Sequence, residues 1–146
     1  MNAKFMEAAL EQAKKAETMG EVPIGAVLVK NGEIIAAAHN LCESKKDPTA
    51  HAEILCIKKA AELLGDFRLT GTELYVTLEP CPMCAGAIIN ARIGEVIFGA
   101  YDPQKGALGS VTNLYSFNFP NKPQIFGGIK EKETAKLLQD FFKSKR

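Results

Sequence analysis

The sequence lacks the features of a membrane, secreted or repetitive protein. No run approaches the roughly 18 apolar residues that a membrane-spanning helix needs. The N-terminal stretch MNAKFMEAALEQAKK has no apolar h-region and no cleavage signal, so we expect a cytoplasmic protein without a membrane partner. There is no internal repeat and no low-complexity tract, and 47% hydrophobic with 24% charged residues argue against disorder, collagen and coiled coil.

Cysteine is scarce and the net charge is small. Four cysteines in a chain without a secretion signal point away from a disulfide framework and toward metal binding or catalysis. The net charge is only +1, but residues 121–146 hold seven Lys/Arg against three Asp/Glu. A basic end of this kind is typical of a solvated amphipathic helix, and it is also a surface that attracts a polyanion such as nucleic acid.

The order of apolar patterns predicts an α/β fold. The 146 residues are about the size of one domain. Apolar periodicity predicts helices at residues 3–18, 51–64, 82–91 and 131–143. Short apolar runs predict strands at residues 24–29, 34–38, 73–78, 95–98 and 124–126. Asn31-Gly32 predicts a hairpin turn between the first two strands, residues 39–50 a loop, and residues 101–123 irregular structure. Because strands alternate with helices, we expect one mixed sheet covered on both faces.

Helical spacing also predicts which side chains are inward. The second helix has apolar residues on one face, namely Ile54, Ile57, Ala61 and Leu64. The last helix is expected to bury Ala135, Leu138, Phe141 and Phe142. Cys56 is interpreted as an apolar packing residue, and Cys42 as a loop residue without a function.

Two short segments carry metal-binding chemistry. His51-Ala52-Glu53 begins one predicted helix, and Pro80-Cys81-Pro82-Met83-Cys84 begins the next. Two thiolates at positions i and i+3 project from one face of a helical turn and can bind one metal, and His51 can add an imidazole. This donor set favours zinc, and three protein ligands leave a fourth tetrahedral position open for water, as in catalytic sites.

Glu53 is the candidate proton carrier beside that metal. Zinc lowers the pKa of a bound water to roughly 7, and a neighbouring carboxylate can take the proton and deliver it to a leaving group. At the first turn of a helix the side chains of His51 and Glu53 can both reach the space beyond the helix end. Each feature alone has a simpler interpretation: a structural or redox C-x-x-C, a capping histidine, and a first-turn acid favoured by the helix dipole. The combination of these three features is more specific for a catalytic zinc site than any one of them alone.

The paired motifs H-x-E and P-C-x-x-C resemble the signature of zinc-dependent nucleoside and nucleobase deaminases. Within that superfamily, the chain looks most like the bacterial tRNA-specific adenosine deaminases. The similar stretches are GEVPIGAVLV (20–29), DPTAHAEIL (47–55), LYVTLEPCPMCAGAI (74–88), RIGEVIFGA (92–100) and LLQDFFKSKR (137–146). The resemblance implies that residues 1–146 form a single zinc-dependent deaminase domain. Its fold would be cytidine deaminase-like, a three-layer α-β-α sandwich with a five-stranded mixed sheet, and it would act as a homodimer.

The resemblance also implies a reaction and a set of site residues. One zinc ion per chain would be held by His51, Cys81 and Cys84, and Glu53 would be the proton shuttle. Zinc-bound hydroxide would attack C6 and convert adenosine to inosine at the wobble position of a tRNA anticodon stem-loop. Asn40 and the backbone N–H of Ala52 would contact the flipped nucleoside.

The C-terminal part of the chain would add RNA contacts. Where the family pattern commonly has Asn-His-Arg, this sequence has Asn121-Lys122-Pro123, so Asn121 alone is retained as a substrate contact. The residues expected to contact the RNA backbone are Lys143, Lys145 and Arg146.

Two other functions are compatible with the same residues. One is a deaminase of a small molecule, either guanine or cytosine/cytidine, with the same zinc chemistry in a different pocket. The other is a zinc-stabilised binding domain without catalysis. Glu53 argues against the second, because a structural zinc needs no carboxylate beside it.

Overall fold

The computed structural model describes residues 2–145 as a five-stranded sheet with helices on both faces. The helices are α1 (Ala3–Thr18), α2 (Cys42–Lys45), α3 (Ala52–Leu64), α4 (Pro82–Ala91) and α5 (Glu131–Ser144). The strands are β1 (Gly25–Lys30), β2 (Glu33–His39), β3 (Thr72–Leu78), β4 (Glu95–Ala100) and β5 (Gln124–Phe126), and a 3₁₀ turn spans Leu114–Ser116. The helices and strands predicted from periodicity are therefore confirmed, with ends that differ by a few residues.

The sheet is mixed, with strand order β2-β1-β3-β4-β5. β1 pairs antiparallel with β2 and β3, whereas β3-β4 and β4-β5 are parallel. Alternate side chains of β1 pack on opposite faces of the sheet. Ala26 and Leu28 belong to the core cluster beneath α3 and α4, whereas Val27 and Val29 belong to the cluster beneath α1. This arrangement confirms the expected three-layer α/β sandwich.

The hairpin between β1 and β2 forms at the predicted dipeptide. Asn31 has φ 51° and Gly32 has φ 77°, which are the left-handed conformations that Asn-Gly tolerates. On the other side of β1, α1 approaches the strand closely at Gly25, where an added Cβ atom would lie 2.1 Å from the carbonyl oxygen of Ala9. The backbones can therefore meet only because this position has no side chain.

The prediction that residues 39–50 form a loop is wrong in part, because α2 lies within them. This helix is one turn long and ends at Lys46, which has a left-handed backbone. Its first-turn N–H groups at Glu43 and Ser44 donate to the carboxylate of Glu21, a residue that follows α1. Tertiary hydrogen bonds, which the local sequence does not reveal, therefore contribute to the stability of this helix.

The predicted inward faces of two helices are also corrected. α3 buries Ala52, Glu53, Cys56 and Ala60, while Ile54 and Ile57 are half-buried and Leu64 is exposed. Small side chains let α3 approach β2, and the thiol of Cys56 donates to the carbonyl of Ala36 at 3.6 Å, as expected for a packing residue. In α5, Phe141 is buried but Phe142 is 49% exposed.

Helices of the length and apolar character needed to cross a bilayer do not occur within residues 2–145.

Candidate active site

Three potential metal ligands meet where α3 and α4 begin. His51 is the N-cap residue of α3, Cys81 is the N-cap residue of α4, and Cys84 lies in the first turn of α4. The Nδ1 atom of His51 lies 3.6 Å from Sγ of Cys81 and 3.5 Å from Sγ of Cys84. All three ligand atoms lie within 4.8 Å of one another. The structure thus brings the three ligands predicted from the two motifs into one cluster.

The distances in this cluster fit a tetrahedral zinc ion. With Zn–S bonds of about 2.3 Å and Zn–N bonds of about 2.0–2.1 Å, a tetrahedral angle separates nitrogen from sulfur by about 3.6 Å. The two observed separations, 3.6 and 3.5 Å, agree with that value. Within residues 2–145 no further His, Cys, Asp or Glu atom joins the cluster, so the protein would supply three ligands. Such a donor set suits a catalytic zinc.

The three side chains of the cluster alter one another's pKa values. The hydrogen bond from Cys84, assisted by that from His51, lowers the pKa of Cys81 to about 4. The same bond between the two thiols, together with burial, raises the pKa of Cys84. The hydrogen bond to Cys81 raises the pKa of His51 above its ordinary value, although burial acts in the opposite direction. Metal binding requires deprotonated thiols, so a bound cation would displace protons from this cluster.

Glu53 lies beside the cluster. It occupies the first turn of α3, is only 4% exposed, and lines the same cleft as His51. Burial raises the pKa of Glu53 to about 7, against the opposing effects of a backbone hydrogen bond and the charge of His51. A carboxyl group in this environment can both accept and donate a proton near neutral pH.

A cleft of about 670 Å³ opens over these groups. Its size lies within the range of small-molecule sites, which is about 300–1,000 Å³. The lining comes from six parts of the chain. They are residues 21–24, 40–43, 51–53, 78–81 and 101–105, and three residues of α5. Several independent segments of the chain therefore enclose the space beside His51, Glu53 and Cys81.

Two predicted substrate contacts line this cleft. The side chain of Asn40 is held by the backbone, because its Oδ1 accepts the N–H of Cys42 at 3.3 Å and its Nδ2 donates to the carbonyl of Val22 at 3.4 Å. Ala52 is the first residue of α3, where backbone N–H groups have no partner within the helix. Cys42, interpreted from sequence as incidental, also lines the cleft and is half-buried.

The remaining predicted contacts lie elsewhere. Asn121 is exposed in the loop before β5, has φ 58°, and does not line the cleft. The structure therefore does not bring Asn121 to the predicted substrate site, because this residue lies in the connection to the edge strand β5. Lys143 and Lys145 are exposed near the end of α5, with Nζ of Lys145 5.3 Å from the ring centre of Phe141. Arg146 lies outside the described residues.

Sequence reasoning missed several residues that form the cleft. The sequence predicts segment 101–105 only as irregular and Phe142 as inward, yet both line the cleft. Two buried acids, Glu21 and Glu79, were also missed. The available signal is a single charged residue, a glutamate, in each of two otherwise uncharged stretches, EVPIGAV and LYVTLEP.

A family model, a curated relative and solved structures each relate this chain to deaminases. A family model described as MafB19-like deaminase matches residues 1–146. The tRNA-specific adenosine deaminase of Bacillus subtilis (strain 168) is 51% identical over 143 residues, which cover 97% of this chain and 89% of that protein. A chain solved in biochemical and structural studies of A-to-I editing by tRNA:A34 deaminases has a TM-score of 0.91 and 47% identity, and the match covers 94% of this chain and 100% of that one. A guanine deaminase from Bacillus subtilis has a TM-score of 0.66 and 43% identity over 69% of this chain and 66% of its own.

Proposed function

Because this chain belongs to the family of tRNA-specific adenosine deaminases, we propose that it hydrolyses adenosine to inosine at the wobble position of a tRNA anticodon and releases ammonia. The observation that carries this proposal is the 51% identity to such an enzyme along 97% of the chain. The cluster of His51, Cys81 and Cys84 beside Glu53 offers the chemistry that the reaction needs.

We propose one zinc ion per chain as the cofactor, held by Nδ1 of His51 and by the Sγ atoms of Cys81 and Cys84. The tetrahedral spacing of 3.6 and 3.5 Å and the thiol-imidazole donor set support this choice. When bound, zinc supplies Lewis acidity that brings the pKa of a water molecule to roughly 7.

Glu53 would move the protons of the reaction. It takes a proton from the attacking water and delivers it to N1 of the adenine as the C6–O bond forms. It then carries the proton of the new C6 hydroxyl group to the amino group. The C6–N bond breaks, ammonia leaves, and the C6 carbonyl of inosine remains. The buried position of Glu53 in the cleft lining supports this assignment, because the side chain lies beside the cluster.

Asn40 and Ala52 would orient the nucleoside for this step. The amide of Asn40 is fixed by its bonds to Cys42 and Val22, so its hydrogen-bonding atoms are already oriented in the cleft wall. The N–H of Ala52, at the first turn of α3, can donate to the base. A base must be unstacked to enter such a cleft, and an anticodon loop offers unstacked bases at low energetic cost.

The basic C-terminal segment would contact the RNA backbone. Lys143 and Lys145 are exposed on α5, the helix that also lines the cleft through Leu138, Gln139 and Phe142. A substrate held in the cleft would therefore bring its phosphates near these two side chains. Arg146, which lies outside the described residues, is a predicted contact as well. Asn121 stays a predicted substrate contact. Because it does not line the cleft, it would contact a part of the tRNA that lies outside the cleft.

We further propose that the enzyme is a cytoplasmic homodimer of one-domain subunits. Support for an interface comes from residues 111–119, which expose three large apolar side chains, Val111, Phe117 and Phe119. This segment packs beside α4, where the hydroxyl group of Tyr115 donates to the carbonyl of Ala85 at 2.9 Å. A second copy would cover these side chains, and light scattering should then give twice the mass of the chain; a monomer at micromolar concentration would contradict it.

The substrate is tested by incubation of the zinc-loaded protein with an anticodon stem-loop that carries adenosine at the wobble position. Parallel reactions contain guanine, cytosine or cytidine, because a guanine deaminase shares 43% identity with part of the chain. Inosine in the RNA, without ammonia from the small molecules, is the expected result. Ammonia from guanine alone would contradict the tRNA assignment.

A further inference from the structure

Two buried carboxylates line the cleft without a part in the proposed chemistry. Glu21 is 0% exposed and Glu79 is 2% exposed. Four ion pairs form among the described residues, and none of them includes Glu21 or Glu79. A buried anion is stable only when hydrogen bonds replace its lost hydration, so the partners of these two acids indicate what each one holds.

Glu79 holds the segment of residues 102–110, which we call the Glu79 loop. Its Oε1 accepts the N–H of Asp102 at 3.0 Å, and its Oε2 accepts the N–H groups of Leu108 and Ser110 at 3.0 and 3.1 Å. The hydroxyl group of Ser110 also donates to Oε1. One carboxylate therefore fixes both ends of the stretch whose residues 102–105 line the cleft.

The Glu79 loop is folded tightly around this carboxylate. At Gly106, an added Cβ atom would lie 2.3 Å from Cδ of Glu79. Two residues beyond Glu79 the chain reaches the ligand Cys81, and the carbonyl of Pro80 between them accepts the N–H of Ala107 at 2.9 Å. The loop is thereby held at a set distance from the ligand cluster.

Glu21 holds α2 in the corresponding way. Its Oε1 accepts the N–H of Glu43 at 3.0 Å, and its Oε2 accepts the N–H and hydroxyl groups of Ser44 at 2.6 and 2.5 Å. Burial opposes ionisation, but the bonds from Ser44 and Glu43 hold the pKa of Glu21 below its usual value. Asn40, which precedes α2, shares this wall through its bond to Cys42.

We propose that Glu21 and Glu79 are positioning residues, each of which holds one wall of the substrate cleft against the metal-ligand cluster. Neither touches the reacting atoms. Each acts through backbone N–H groups of a wall segment, α2 for Glu21 and the Glu79 loop for Glu79. Only the expected effect on KM rests on the proposed deaminase function. The effect on hydrogen exchange in the walls does not.

A change from glutamate to glutamine tests the role with almost no change of shape. Each oxygen of Glu79 accepts two donors. In Glu79→Gln the amide nitrogen must therefore face at least one backbone N–H, and two donors that face each other repel. Glu21→Gln creates the same conflict at Glu43 or Ser44, in the other wall.

The experiment compares zinc-loaded wild type, Glu79→Gln and Glu21→Gln by amide hydrogen exchange and by kinetics on the stem-loop. We expect exchange at Asp102, Leu108 and Ser110 to be about tenfold faster in Glu79→Gln, with Glu43 and Ser44 unchanged. In Glu21→Gln the pattern should be reversed. Each variant should raise KM about tenfold, keep kcat within about threefold and keep one zinc per chain, because the reacting groups are intact.

Glu73→Gln is the matched control. Glu73 is a half-buried acid at the other end of β3 and does not line the cleft, so exchange in both walls and KM should equal those of wild type. A purely structural role for Glu79 or Glu21 would reduce the active fraction and leave the KM of the surviving enzyme unchanged. That result, or unchanged exchange in the wall, would overturn the proposal.

Ser110→Ala and Ser44→Ala keep the test decisive if a glutamine variant fails to fold or to retain zinc. Each removes one donor to the carboxylate and should raise KM about threefold with local exchange faster in the same wall. An unchanged KM and unchanged exchange would overturn the proposal. If wild type does not deaminate the stem-loop, the proposed function fails, whereas the exchange patterns still decide whether each acid holds its wall.

Discussion

The Nδ1 atom of His51 and the Sγ atom of Cys81 lie 3.6 Å apart, and each residue is the N-cap of its helix. His51 makes no side-chain capping bond to α3, and the side chain of Cys81 is bonded to Cys84 in the first turn of α4. Because both N-cap side chains meet, the N-terminal ends of α3 and α4 converge on the same point. The positive ends of two helix dipoles favour negative charge at this point, such as the thiolate of Cys81.

Replacement of Glu53 by Gln should abolish turnover and spare binding. The amide keeps the shape of the side chain but cannot shuttle protons, so kcat should fall by about 10²–10⁴-fold. Zinc content and the Kd for the stem-loop should stay near wild type, as measured by metal analysis and fluorescence anisotropy. A variant that retains a tenth or more of the wild-type kcat would exclude Glu53 as the shuttle.

Metal analysis should find about one zinc ion per chain, and Cys84→Ser should lose it. Cys84 is buried and lies 3.5 Å from the ligand atom of His51, so a hydroxyl group cannot replace its thiolate in the cluster. A chelator should inactivate the wild type, and added Zn²⁺ should restore it. Cys56→Ser is the matched control: it changes a buried cysteine outside the cluster and should keep the metal. A folded, active and metal-free enzyme would refute the cofactor assignment.

Asn40→Ala should weaken substrate binding without loss of metal. The variant removes the amide and also its bonds to Cys42 and Val22, so the wall loses both a substrate contact and its own anchor. We expect kcat/KM on the stem-loop to fall at least about 30-fold, which corresponds to about 2 kcal/mol of transition-state stabilisation. Steady-state kinetics with zinc-loaded protein measure the change, and a loss below threefold would contradict the assigned role.

Binding of the stem-loop should weaken as salt increases. Each phosphate contact to a single strand contributes about −0.7 to the slope of log K against log salt concentration. The double variant Lys143→Ala/Lys145→Ala should make this slope shallower by about 1.4 if both side chains contact phosphates. Lys14→Ala, an exposed lysine of α1, should leave the slope unchanged. Equal slopes for wild type and the double variant would show that α5 does not contact the backbone.

Gly25→Ala should destabilise the fold itself. Its Cβ atom would meet the backbone of α1 at 2.1 Å, so the helix must shift away from β1. The expected loss is about 3 kcal/mol in the free energy of unfolding, measured by urea denaturation of the zinc-loaded protein. Gly86→Ala is the control, because its Cβ atom would have no neighbour within 4 Å and alanine favours the helix. Equal stability of both variants would contradict the close approach of α1.

Several features could be predicted from the sequence because their physical causes are local. Asn31-Gly32 forms its hairpin through the backbone freedom of two adjacent residues. Cys81 and Cys84 share a face because one helical turn separates them. Apolar periodicity located α1, α3, α4 and α5 for the same reason.

Only the tertiary structure decided which surface each element buries and what surrounds the ligands. α3 turns its small residues Cys56 and Ala60 to the sheet because β2 lies close, a relationship that periodicity alone does not contain. A glutamate in sequence predicts a solvated charge, whereas Glu21 and Glu79 are buried because folded backbone N–H groups surround them. The local sequence therefore determined the ligands of the site, and contacts between distant segments determined its walls, because a buried carboxylate is stable only where the whole fold supplies its donors.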